Sequence, residues 1–170
     1  TGRTPEALQA YRKAVELEPE STVARYGLGY LHWKLYQYEE AERELREVLR
    51  RQPNEPRASF TLGDLYLTRG EAERSLPLLE VARAAYANEF DTRFALGRAL
   101  VATGNLERGI DELRAAVALD GNIADGHFQL GRALIKAGRS EEGKLELQKA
   151  QTLHDQQRKT EAERYRKKLP

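Results

Sequence analysis

Histidines and adjacent carboxylates are the side chains of this 170-residue chain that could do chemistry. His32, His127 and His154 lie far apart, whereas a zinc-binding histidine pair on a helix is spaced by four residues. The neighbouring carboxylates Glu39 and Glu40 could share acid–base work, but they stand in a strongly charged stretch typical of solvated surface. We therefore predict no metal, no cofactor and no catalytic residue, and hence no enzyme activity.

The sequence also lacks a motif for nucleophilic catalysis or for phosphate binding. Cysteine is absent, which excludes thiolate nucleophiles, thiolate metal sites and disulfides. No serine stands in a recognisable triad motif. Gly27-Leu28-Gly29 has the beginning of a phosphate-binding loop, but it follows no predicted strand and lies within a predicted helix.

The composition narrows the class of partner. The 28 basic and 27 acidic residues give a net charge of +1, so we expect no general attraction for nucleic acid or for an anionic membrane. No apolar run is long enough to span a bilayer, which predicts a soluble protein. Richness in alanine, arginine and glutamate favours a bacterial source, with the cytoplasm or the periplasm as its compartment. Because methionine is absent, we interpret the chain as a fragment of a larger protein.

A 34-residue repeat organises the sequence. Leu-Gly pairs recur at 28–29, 62–63, 96–97 and 130–131, and a second glycine follows seven residues later in three units, with Tyr36 in the remaining one. Three downstream columns share the same register. They contain Ala7, Ala41, Ser75, Gly109 and Gly143; then Tyr11, Leu45, Leu79, Leu113 and Leu147; then Ala14, Val48, Ala82, Ala116 and Ala150. A fixed period of this length predicts a solenoid of stacked supersecondary units.

Each unit predicts two antiparallel helices. The first carries the Leu-Gly pair and ends near the second glycine, where a left-handed C-cap is expected. The second has apolar residues at spacings of three and four, as in Ala41, Leu45 and Val48. Short turns between the two make them antiparallel.

Aromatic and charged residues form further columns on the first helix. The members are Tyr26, Phe60, Phe94 and Phe128, two before each leucine; Tyr30, Asp64, Arg98 and Arg132, one after each glycine; and Trp33, Leu67, Val101 and Ile135, four after it.

These features together resemble the tetratricopeptide repeat (TPR) family, over about residues 1–157. The resemblance rests on the Leu-Gly pair, the later glycine, the small-residue column and the prolines Pro19 and Pro53 that end second helices. It implies an all-α fold, a right-handed superhelix of antiparallel helix pairs, with a concave groove lined by the first helices.

The resemblance places the aromatic and charged columns on or near that groove. The candidate partner-binding residues are Tyr26, Tyr30, Trp33, Phe60, Asp64, Phe94, Arg98, Phe128 and Arg132. The rings either pack between neighbouring first helices or form pockets for a partner's side chains, and one ring can do both. Arg98 and Arg132 either pair with a partner's carboxylates or pair within the groove with Asp64, Asp91 or Asp125.

One TPR subtype is excluded. Members that hold the C-terminal carboxylate of chaperones carry lysine two before the leucine and asparagine one after the glycine. This chain has aromatic residues at the first place and Tyr30, Asp64, Arg98 and Arg132 at the second. Chaperone-tail binding is therefore not implied.

We predict a single solenoid domain over residues 1–170. Residues 1–19 supply only the second helix of a truncated repeat, and four full repeats follow at 22–55, 56–89, 90–123 and 124–157. The polar segment 158–170 is interpreted as a capping or tail helix. Because Asp155 replaces the helix-stopping proline, the last helix is expected to run unbroken from about Ser140.

The functional prediction is a non-catalytic protein-protein interaction scaffold whose concave groove binds a peptide or a helix. One alternative is a docking or regulatory arm of a larger enzyme or assembly machine. Another is self-association through the exposed N-terminal half repeat, around Leu8, Tyr11 and Val15. A nucleic-acid-binding solenoid is disfavoured by the near-neutral charge.

Overall fold

The structure is a computed structural model that describes residues 4–166, and this part of the chain folds into nine α-helices without a β-strand. This confirms the predicted all-α repeat fold. The helices are α1 (Thr4–Leu17), α2 (Thr22–Lys34), α3 (Tyr38–Arg51), α4 (Pro56–Thr68), α5 (Ala72–Ala85), α6 (Phe90–Ala102), α7 (Leu106–Leu119), α8 (Ala124–Lys136) and α9 (Ser140–Arg166).

The chain divides into two compact units, Thr1–Ala87 and Asn88–Pro170. In the first unit α2 pairs with α3 and α4 with α5, while α1 packs on α2 without a pair partner of its own. In the second unit α6 pairs with α7 and α8 with α9. The description of residues 1–170 as one domain stays a prediction.

The small-residue columns mark where paired helices approach each other. Ala41 and Ser75 are fully buried, and the Ser75 hydroxyl donates a hydrogen bond to the Gly63 carbonyl at 2.7 Å. A Cβ atom on Gly97 would lie 3.0 Å from the Gly109 carbonyl and 2.7 Å from Leu113 Cγ. Glycine is therefore required by close backbone approach, which offsets its cost in helix propensity of about 1 kcal/mol.

The turn inside each pair needs a left-handed residue. Gly70, Gly104 and Gly138 have φ values of 78°, 86° and 81°, as the predicted C-caps require. Tyr36 holds the same place in the first pair with a φ of 60°, although a Cβ is disfavoured there. Gly2, which stands 34 residues before Tyr36 and continues the same series, lies outside the described residues.

The ends of the helices also follow from local chemistry. The Ser21 side chain accepts a hydrogen bond from the Ala24 amide and caps α2. At the other end of the chain, α9 runs without interruption from Ser140 to Arg166, passing through Asp155 as expected.

Each unit has its own apolar core. In the first unit Leu45, Val48, Leu62 and Leu65 form its centre, and Tyr26 and Trp33 pack against it. In the second unit the core contains Ile110, Leu113, Leu130, Ala133 and Leu134. These cores fix the first helices on which the candidate site residues lie.

Candidate functional site

An aromatic stripe runs along α2 in the first unit. Tyr26, Tyr30 and Trp33 are spaced by four and three residues, so they share one helix face. The ring centroids of Tyr26 and Tyr30 are 6.0 Å apart, and those of Tyr30 and Trp33 are 5.6 Å apart. All three rings are half-buried, so each contributes both to packing and to surface.

Basic side chains flank this stripe. The Arg57 guanidinium lies 4.7 Å from the centroid of the Tyr26 ring, and the Lys34 ammonium lies 4.6 Å from that of Trp33. Burial raises the pKa of Tyr26, and this effect exceeds the opposing influence of its hydrogen bond with Thr61 and of Arg57. The stripe is therefore a neutral aromatic surface bordered by positive charge.

The second unit combines ring and cation within single helices. Arg98 lies 5.4 Å from the centroid of the Phe94 ring on α6, and Arg132 lies 5.7 Å from that of Phe128 on α8. Phe94 packs against the core, whereas Phe128 is 40% exposed. A phenyl face with a guanidinium over it can receive an apolar group and a carboxylate together.

The two arginines keep their charge available. Within residues 4–166, the side chains of Arg98 and Arg132 form no ion pair and no hydrogen bond, and each stacks on its neighbouring ring. Pairing within the groove was one of two sequence-based alternatives for these side chains. That alternative is not seen in this part of the chain.

The two remaining predicted residues are buried to about the same degree as the α2 stripe. Phe60 and Asp64 are half-buried on α4. In the column of Trp33, Leu67 is buried and Val101 packs toward the second helix of its own pair, with Cγ2 2.6 Å from where a Gly109 Cβ would be. Trp33 is thus the aromatic member of a column whose other members serve mainly to pack the helix pair.

A set of interhelical contacts between a basic side chain and a glutamate was not predicted from the sequence. Arg25 meets Glu44 at 2.8 Å, Arg93 meets Glu112 at 2.8 Å, and His127 meets Glu146 at 2.6 Å, each joining the first helix of a pair to its second. The partners are always 19 residues apart.

The second repeat carries a sequence signal for these contacts. It has Ser59 and Leu78 at the two positions, so the basic and the acidic residue are replaced together. Ser59 is fully buried, and its hydroxyl has no hydrogen-bond partner among the described residues. Comparing the repeats with one another, rather than each with a motif, would have revealed this pair.

Two of the three histidines, His32 and His127, are held inside the fold by hydrogen bonds. His32 is buried with Nδ1 2.7 Å from Gln37 Oε1, and His127 places Nε2 3.0 Å from the Gly121 carbonyl oxygen. Residues 4–166 contain no cluster of histidine, aspartate or glutamate suited to a metal ion. Over the same range, every helix is too short or too polar to cross a bilayer.

Comparison with known proteins identifies the family. Two tetratricopeptide repeat models match the chain, one over residues 1–62 and 36–94 and the other over 94–157. The chain belongs to the tetratricopeptide repeat family. TPR folds are generally non-catalytic modules for protein interaction, which agrees with the predicted class of function. No curated protein sequence matches the chain.

Solved TPR structures share the arrangement of helices. MamA 41-end from Desulfovibrio magneticus RS-1 is 26% identical with a TM-score of 0.81, over 92% of this chain and 88% of that one. YrrB, described as a TPR protein with an unusual peptide-binding site, is 25% identical with a TM-score of 0.78, over 89% of this chain and 78% of that one.

Proposed function

We propose that this chain is a non-catalytic protein-interaction scaffold that binds a peptide or a helix on the face formed by its first helices. The observation that carries the proposal is the pair of arginines, Arg98 and Arg132, each stacked on a phenylalanine ring and free of carboxylate partners in the described residues. A charge held at the surface without a partner is available to a ligand.

The chemistry of these positions selects a ligand that combines acidic and apolar side chains. Carboxylates would meet the guanidinium groups in forked hydrogen bonds, while apolar side chains would cover Phe94 and Phe128. The basic border of the aromatic stripe on α2 has the same preference. YrrB, similar in fold, is described as having a peptide-binding site, which supports a peptide as the ligand class.

Affinity is expected in the micromolar range, about −8 kcal/mol, because several modest contacts must offset the ordering of a flexible ligand. The arginines would contribute through charge selection and association rate, so binding should weaken as salt rises.

The test uses fluorescein-labelled peptides in which glutamate alternates with leucine or phenylalanine, and a control peptide with lysine in place of glutamate. Anisotropy titrations compare the wild-type protein with an Arg98→Glu, Arg132→Glu variant. We expect the acidic peptides to bind the wild type and to lose at least tenfold in affinity on the variant.

A matched control distinguishes the loss of a binding site from the effect of the changed net charge. Arg164→Glu, Arg166→Glu makes the same change of net charge at the exposed end of α9, and it should leave binding unchanged. Equal loss with both double variants would contradict a defined site. Trp33, the single tryptophan, reports independently whether the α2 stripe takes part, through a shift of its emission.

Self-association is a second candidate, because α1 exposes a face that α3, α5 and α7 bury. Leu45, Leu79 and Leu113 are almost completely buried, whereas Tyr11, at the equivalent place in α1, is 37% exposed. A second copy of the chain covering this face would give a mass that rises with concentration. A strictly monomeric mass by light scattering at high concentration would contradict this candidate.

A further inference from the structure

The second unit contains a groove on a different face from the arginine–phenylalanine pairs. Helices α7 and α9 both pack on α8, but no Cα atom of α7 comes within 8 Å of one in α9. The space between them is a groove of about 810 Å³ with α8 as its floor.

Apolar side chains from three helices line this groove. Val117 contributes from α7, Leu130 and Leu134 from α8, and Leu145 and Leu153 from α9. Leu145 is 60% exposed, although it lies in the first half of α9, where that helix packs on α8. An apolar side chain in this position gains by being covered.

The charged residues around the groove neutralise one another. Arg114 of α7 reaches across to Glu142 of α9 at 2.8 Å, while Glu146 is engaged by His127 at 2.6 Å and by Lys149 at 2.7 Å. Two basic and two acidic side chains therefore balance, with histidine taken as neutral. The complementary occupant presents an uncharged surface, in contrast to the acidic ligand of the first-helix face.

The first unit shows the corresponding space bridged by its own side chains. There Tyr66 of α4 donates a hydrogen bond to Glu42 of α3, and Arg74 of α5 stacks on the Tyr66 ring at 3.8 Å. Leu78 packs on the core at the place where Glu146 stands in the second unit. The second unit has Leu134 and Glu142 at the places of Tyr66 and Arg74, so its described residues form no such aromatic bridge, and the Arg114–Glu142 ion pair joins α7 to α9 at one end of the groove.

The shape of the groove indicates what that group is. It follows α9 from Glu142 to Gln156, which corresponds to about 21 Å of helix, or about four turns. A small molecule would fill a fraction of this length, whereas an amphipathic helix places an apolar residue on the groove at every turn. We propose that the groove between α7 and α9 binds a partner's amphipathic α-helix of about four turns, through an uncharged apolar face.

The experiment is a selection of displayed 14-residue peptides on the wild-type protein. The peptides have a helix-favouring background of alanine, glutamine, lysine and glutamate, with positions i, i+3, i+4, i+7 and i+11 randomised. We expect enriched sequences to carry apolar residues at these positions. Their affinity, measured by anisotropy, should fall at least tenfold on Leu145→Glu.

Two controls locate the binding. Leu17→Glu makes the same change at a leucine that is 73% exposed on α1, and it should leave affinity unchanged. Arg98→Glu, Arg132→Glu should also leave it unchanged, so this proposal and the proposed function can fail independently. Circular dichroism checks that Leu145→Glu folds, as the exposure of Leu145 leads us to expect.

Several results would overturn the proposal. These are the absence of enriched helices, equal binding to Leu145→Glu, or enriched peptides that depend on the two arginines. Nile red that binds the wild type but not Leu145→Glu, with no helix enriched, would make the groove a small-molecule site. Dimerisation that Leu145→Glu abolishes would make a second copy the occupant.

Discussion

Tyr36 is a non-glycine residue with a backbone conformation that normally requires glycine. It occupies a left-handed turn that glycine occupies in the three other helix pairs, and its side chain is 78% exposed. Its ring makes one aromatic contact, with the edge of Tyr38 at a centroid distance of 6.2 Å. The backbone cost is therefore offset by little packing.

Replacing Tyr36 with glycine is expected to stabilise the protein by up to about 1 kcal/mol. The left-handed conformation costs a non-glycine residue about 1–2 kcal/mol, and glycine removes this cost. Part of the gain is lost because glycine also gives the unfolded chain more conformational freedom. Urea unfolding measures the change. Gly104→Ala, where a Cβ would meet nothing within 4 Å, should destabilise by a similar amount. Lower stability of Tyr36→Gly would show that the exposed ring makes the larger contribution.

The sequence could predict which helix face each site residue occupies, but not which residues of other helices it contacts. The spacing of four between Phe94 and Arg98 places them on one face of a helix, which follows from helical geometry alone. Whether Arg98 meets a carboxylate depends on where neighbouring helices put their aspartates, and one sequence does not contain that distance. The Arg25–Glu44 pair could not be predicted for the same reason, since it depends on how α2 and α3 pack.

Interhelical ion pairs and apolar packing are alternative ways to join the two helices of a pair. Glu44 is 6% exposed and relies on Arg25, while the second repeat has Ser59 and Leu78 at the same two places. Breaking a buried pair leaves a charge without compensation, whereas replacing both members removes the requirement.

A double-mutant cycle on Arg25 and Glu44 should therefore be strongly non-additive. Arg25→Ser is expected to cost about 3 kcal/mol, because it leaves the buried carboxylate without its main partner. Adding Glu44→Leu, which reproduces the combination of the second repeat, should recover most of that loss. Urea unfolding followed by Trp33 fluorescence gives the four free energies. Additive effects would mean that the pair does not act as a unit.

Glu42 joins three helices and makes the first unit sensitive to acid. Burial alone would raise the pKa of Glu42, but hydrogen bonds from Tyr66, Arg74 and Arg69 outweigh it and hold the pKa below its ordinary value. Burial, together with the reciprocal hydrogen bond to Glu42, raises the pKa of Tyr66 to about 12.

Stability should accordingly fall as the Glu42 carboxylate is protonated. A carboxyl whose pKa is lowered by folding contributes stability above its unfolded pKa of about 4.3, and that contribution disappears as pH falls toward the folded value. Glu42→Gln should be less stable by about 1–2 kcal/mol at pH 7 and should lose less stability than the wild type between pH 5 and 3. Parallel pH profiles for the two proteins would contradict this assignment.

Helices were easier to predict than their ends. The 34-residue period, small-residue columns and glycine turns fixed the number and pairing of helices because each pair repeats the same packing problem. The continuation of α9 followed from one substitution, Asp155 for proline. The groove between α7 and α9 could not be predicted, since it depends on how far apart two helices lie on a third.

At the scale of the whole molecule, the last part of α9 extends away from the core of the second unit. From Gln156 to Arg166 every residue of α9 is exposed, whereas Ala150 is still buried. The interpretation of residues 158–170 as a cap stays a prediction, and a shortened chain distinguishes a cap from a tail.

A chain ending at Gln156 is expected to keep its stability within about 0.5 kcal/mol, because the described residues that it loses, 157–166, are all exposed. A chain ending at Gln148 should be clearly destabilised, since it also loses the buried Ala150. Thermal unfolding followed by circular dichroism compares both with the full chain. Aggregation or a lower midpoint of the first variant would establish the capping role.

The close approach at Gly97 and Gly109 also bears on how the second unit forms. Helices α6 and α7 have 13 and 14 residues, and each carries a glycine in its interior. Peptides of this length are marginally helical even with favourable sequences, so neither helix is expected to persist before it meets the other. Folding and docking of α6 and α7 should then be a single event, and amide protons in the middle of both helices should exchange with solvent through one shared opening.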